Sequence, residues 1–84
     1  MRLVVHLILL GAKSATDYFL HVAAEEGNIE AVKQHLAAVT DVNAKDEDGE
    51  TPLDCAIEEG HTETANLLRK HGAKTAEELK AAGN

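Results

Sequence analysis

Leu20-His21-Val22-Ala23-Ala24-Glu25-Glu26-Gly27-Asn28-Ile29-Glu30 returns 33 residues later as Leu53-Asp54-Cys55-Ala56-Ile57-Glu58-Glu59-Gly60-His61-Thr62-Glu63. The register holds without slippage from the leucine to the final glutamate. A phrase that recurs at a fixed spacing of this size is one supersecondary unit built twice. Each copy reads as a helix stopped by glycine and followed at once by a second helix.

Working outward, Ile29, Val32 and Leu36 fall at spacings of three and four, an apolar stripe that predicts a helix over 29–38, with Lys33 and Gln34 in water. Asp17 is the expected N-cap of a first helix over 18–26, its carboxylate accepting from first-turn amides. Thr40 to Glu50 lacks helical periodicity and ends on the turn signal Asp48-Gly49. Thr51-Pro52 starts the next helix, because threonine caps and proline at the first helical position gives up only an amide that had no partner. Leu53, Ala56 and Ile57 are expected to bury one face of it. A helix over 62–70 follows, closed by Gly72, with Arg69, Lys70 and His71 at its negative end. Thr75 with Glu78 three residues on is a capping box for a last helix over 76–82, which offers Leu79 to the stack.

The second copy carries Asp46-x-x-Gly49-x-Thr51-Pro52-Leu53, then Gly60-His61 and Gly72-Ala73, and the first carries Leu20-His21-Val22-Ala23-Ala24 and Asp41-Val42-Asn43-Ala44. This pattern resembles the ankyrin repeat over residues 17–73. Tyr18-Phe19 stand where the family has Thr-Pro, and Val39 where it has the glycine that ends the outer helix. The resemblance implies an all-α solenoid fragment of two helix-turn-helix repeats at 17–49 and 50–74, with a finger loop between them and a capping helix at 75–82. It also implies structural hydrogen bonds for His21 and His61, with Asp54 in place of the first of these in the second copy.

Residues 1–16 form a separate apolar segment. Leu3-Val4-Val5-His6-Leu7-Ile8-Leu9-Leu10 is far shorter than the roughly 20 residues of a membrane helix. It resembles the outer helix and Gly-Ala end of a truncated repeat, a cap for the first full one. Arg2 and the apolar run also fit a secretory signal, although Lys13 stands where a small residue belongs before Ala15. A contact between two chains is the third reading.

The chain has 84 residues, 15 Asp and Glu against 8 Lys and Arg, a net charge of −7 and one tyrosine and one phenylalanine. Negative charge repels phosphate backbones, and a base-stacking platform needs more aromatics, so nucleic acid is not the expected ligand. The single Cys55 cannot close an internal disulfide, which fits a cytoplasmic protein; cleavage of residues 1–15 would make it an exported one. His6, His21, His35, His61 and His71 lie 15, 14, 26 and 10 positions apart, without a short ligand pair, so no metal is expected. The acidic loop 41–50 fails as a calcium loop, since Lys45 and Asp46 occupy its fifth and sixth places. Ser14 has no motif around it and Cys55 sits among apolar residues and glutamates, which disfavour a thiolate. No enzyme activity and no cofactor are expected.

The resemblance implies recognition through finger tips and the exposed end of each inner helix, on one concave side. Those positions here are Glu47, Asp48 and Glu50 on the finger, Glu25 and Glu26 on the first inner helix, and Glu58 and Glu59 on the second, with Cys55 at a position the family often turns to the concave face. The expectation is non-catalytic binding of a protein with a basic patch or a Lys/Arg-rich segment, because clustered like charges repel unless something cationic meets them. The alternative is self-assembly, a homodimer joined through the apolar N-terminal segment.

Overall fold

The computed structural model describes the backbone of residues 15–38 and 41–83, with side chains from Phe19 onward. The readings of the apolar segment and of Val39 lie outside the described residues. Helix α1 covers Ala15–Glu26, α2 Ile29–Ala38, α3 Pro52–Glu58, α4 Thr62–Lys70 and α5 Ala76–Ala81. Asp17 is therefore a first-turn residue and not the cap, because α1 starts two residues before it.

Helices α1 and α2 form one antiparallel hairpin and α3 and α4 the next, and α1 packs against α3. Both hairpins turn on a left-handed glycine, Gly27 at φ 70° and Gly60 at φ 75°. In each, the residue after that glycine donates its amide to the carbonyl five back, Asn28 to Ala23 at 3.1 Å and His61 to Ala56 at 2.9 Å. The shared core holds Leu20, Ala23 and Ala24 of α1, Val32 of α2, Leu53, Cys55 and Ala56 of α3, and Ala65 and Leu68 of α4. Small residues on α1 and α3 let these helices come close, and a few large ones fill the space. Leu36 lies partly buried against this core, while Lys33 and Gln34 are exposed.

Polar ties hold the second hairpin to its flanking loops. Thr51 caps α3 in a capping box with Asp54, and its hydroxyl also donates to the Lys74 carbonyl at 2.7 Å. Asp54 Oδ2 accepts from the Thr51 amide at 3.0 Å and from the Ala76 amide at 2.9 Å, so one carboxylate fixes the starts of α3 and α5 together. Asn43 pairs with the loop after α4, its Nδ2 donating to the Gly72 carbonyl at 3.3 Å and its Oδ1 accepting from the Lys74 amide at 2.7 Å.

Helix α5 buries no residue, and Leu79 reaches only a half-buried position. A capping box on Thr75 and an Arg69–Glu78 pair at 3.3 Å hold it. The Thr75 amide, with help from Arg69, keeps the Glu78 carboxyl below its ordinary pKa. A group with a depressed folded pKa stabilises fully above its unfolded value and loses that contribution as the pH falls through the folded one. The protection factors of the α5 amides, taken relative to intrinsic exchange at each pH, are expected to fall on acidification through and below the usual carboxylate range, before those at Leu53 and Leu68 change. Simultaneous loss of protection at all three places would show that α5 is welded to the core.

Candidate functional site

Two histidines lock the repeats together. His21, on α1 and buried, places Nε2 2.9 Å from the Glu50 carbonyl at the base of the finger. His61, just before α4, places Nε2 3.0 Å from the Glu25 carbonyl at the end of α1. In each case the ring nitrogen donates and the carbonyl accepts, so the tie is from side chain to main chain. Asp54 takes up the corresponding duty in the second repeat through the Ala76 amide. These contacts also fix relative direction: α1 and α3 run the same way, and the Glu25-Glu26 end of α1 lies beside the turn that follows Glu58-Glu59.

The finger between the repeats is closed by its own carboxylate. Asp46 Oδ1 accepts from the Asp48 amide at 2.9 Å and the Glu50 amide at 3.0 Å, while the Asp46 amide donates to the Glu50 carbonyl at 2.9 Å. This hairpin presents Glu47 and Asp48 to solvent. It joins α3 at one end, and Glu58-Glu59 stand at the other, roughly 10 Å along the helix axis at about 1.5 Å per residue.

Of the residues expected at the site, Glu26, Glu47, Asp48, Glu58 and Glu59 are exposed, and Glu25 and Glu50 are half-buried. Cys55 does not belong there: it is 0% exposed, sealed in the core between the repeats. The equivalent residue of the first repeat, Val22, is half-buried. Ile57 also departs from expectation. It is 49% exposed and lies outside the core cluster.

The helix boundaries set the charges at the helix ends against the helix dipoles. Helix α4 has Glu63 in its first turn and Arg69 and Lys70 in its last, and α5 starts with Glu77 and Glu78. Both arrangements suit a helix dipole, positive at the amino end and negative at the carboxyl end. The inner helices break the rule, since neither α1 nor α3 has a basic residue in its last turn. Helix α1 ends in Glu25 and Glu26, and α3 ends in Glu58 with Glu59 as its C-cap. The signal was available in sequence as Glu-Glu immediately before the glycine that stops each helix.

Asp46, Glu50 and Cys55 bring two carboxylates and one sulfur within 4.8 Å of one another at the base of the finger. Three donors fall one short of a closed tetrahedral set, and Asp46 Oδ1 is already committed to two amides. Among the described residues no helix is long and apolar enough to cross a membrane.

A stack of helix hairpins locked by side chain to main chain bonds, with a turn projecting between them, is a repeat protein of the binding class. The family model for ankyrin repeats in three copies matches residues 2–78, and the chain belongs to the ankyrin repeat family. It is 42% identical over 64 residues to an ankyrin repeat protein of Rickettsia bellii, covering 76% of this chain and 10% of that protein. It is 43% identical over 49 residues to acyl-CoA-binding domain-containing protein 4 of Oryza sativa, covering 58% and 15%. The mouse protein phosphatase 1 regulatory subunit 12A is 47% identical over 49 residues, covering 58% and 5%. The chain thus spans a small part of the length of each of these relatives. Ankyrin repeats mediate protein–protein interaction, and the family is typically non-catalytic.

Proposed function

We propose that this chain is a non-catalytic module that holds a protein partner with a basic surface against the acidic side formed by the finger and the carboxyl ends of α1 and α3. The observation that carries this reading is the placement of Glu25, Glu26, Glu58 and Glu59 at two adjacent helix ends that are already negative, without a basic residue in either last turn. Such an arrangement sets negative charge at the negative end of each helix dipole and gathers like charge on one side of the molecule. A cationic partner meets that charge with attraction and speeds encounter.

The test is affinity capture from the source cell with the wild-type chain and with Glu58→Lys combined with Glu59→Lys. Reversing two rim charges is expected to weaken a captured basic partner by about tenfold or more and to flatten its salt dependence. A partner held equally well by both chains, and retained in high salt, would remove the acidic face from the account while leaving the ankyrin fold intact.

A further inference from the structure

The 33-residue spacing allows the outer faces of the two repeats to be compared position by position. Leu20 and Leu53 are both 0% exposed. One step along, the equivalence fails: Ala24 is 0% exposed, while Ile57, its counterpart, is 49% exposed with α5 in place. The turn glycines differ in the same sense. A Cβ on Gly27 would meet the His61 ring at 2.6 Å, whereas one on Gly60 would meet nothing within 4 Å. The second repeat therefore presents, next to Glu58 and Glu59, the surface that the first repeat uses to receive its neighbour. At its centre stands a branched aliphatic side chain where the covered copy has alanine.

We propose that Ile57 is the apolar anchor of the binding surface, and that it receives an aliphatic side chain of a partner segment whose flanking residues are lysine or arginine. The proposal rests on the acidic-face reading and adds to it a residue that the charges alone do not name. Continuity with the junction between the repeats supplies the shape, since the same position one repeat earlier is buried completely. Charge supplies the occupant. A second copy of this chain, also carrying −7, would bring Glu58 and Glu59 against acidic residues of its own kind, while a basic-flanked segment pairs with them. An aliphatic contact at the centre of a patch from which water is excluded is the arrangement in which a single residue carries much of the affinity.

The experiment titrates the whole chain into three fluorescein-labelled peptides: Lys-Lys-Leu-Lys-Lys, the same peptide with Ser for Leu, and the same peptide with Glu for every Lys. The expected result is binding of the first, about tenfold weaker binding of the second, and none of the third. With Ile57→Ser the first two peptides should bind alike, at the weaker level. Ile57 is half in water, so this variant keeps its fold, as far-UV circular dichroism will register. If the leucine peptide keeps its advantage on Ile57→Ser, the anchor is overturned while the acidic face stands. If binding by the first two peptides is unaffected by Glu58→Lys with Glu59→Lys, or neither peptide binds, the acidic-face reading falls and takes the anchor with it. A dimer in sedimentation equilibrium that Ile57→Ser dissolves would assign the face to a second copy and overturn the proposal.

Discussion

Leu53→Ala is expected to cost about 2–5 kcal/mol and to lower the melting temperature by well over 10 °C. Leu53 is 0% exposed, and Leu20, Leu53 and Leu68 are the largest fully buried side chains of the described core. The residues around them are mostly alanines on two closely packed helices, which cannot swell to fill a vacated space. A domain of this size has stability near the low end of about 5–15 kcal/mol, so the loss takes most of the margin. Urea unfolding followed by circular dichroism should show the midpoint move with the slope unchanged, because one core serves both repeats. Ile57→Ala, at a half-exposed position, should cost under about 1 kcal/mol. A Leu53→Ala shift as small as that of Ile57→Ala would mean that the hairpins do not share a core.

Gly27→Ala and Gly60→Ala form a matched pair whose difference measures the junction between repeats. Both glycines are left-handed, at φ 70° and 75°, so alanine at either is expected to cost about 1–2 kcal/mol of backbone strain. At Gly60 that is the whole effect. At Gly27 the added Cβ would lie 2.6 to 2.8 Å from three atoms of the His61 ring, which must then move away from the Glu25 carbonyl it bonds at 3.0 Å. Loss of that bond adds about 1 kcal/mol, giving about 2–3 kcal/mol in all. Removing the ring as well, in Gly27→Ala with His61→Ala, should cost less than the sum of the two single changes, since the clash disappears. Equal stabilities for the two glycine variants would show that the ring contact contributes nothing.

The doubled phrase made the architecture legible because period, turn glycines and caps all pointed to one unit; α2 and α4 fall on the residues the stripe and glycine rules name. Three readings failed for identifiable reasons. The cap rule placed the start of α1 at Asp17, but the chain is already helical from Ala15. The pattern of aliphatic residues put Ile57 in the core, yet it is 49% exposed while its counterpart Ala24 is 0% exposed. The family position of Cys55 suggested an open face, yet the residue is 0% exposed within the core cluster. In each case local sequence describes a residue's own helix and says less about what stands across from it. The acidic candidates were readable as charges, and the glycine after each Glu-Glu already placed four of them at helix ends; that Glu25 and Glu50 are half-buried while the others are exposed required the packing.

His21 and His61 grasp the chain by its peptide carbonyls at Glu50 and Glu25, and a carbonyl is present whatever side chain the residue bears. The grammar that aligns the units is thereby kept apart from the vocabulary written on their rim. Substitutions at residues 25 and 50 can change the charge and shape of that rim while both bonds persist, so the scaffold is free to drift on its surface without first passing through an unfolded intermediate design.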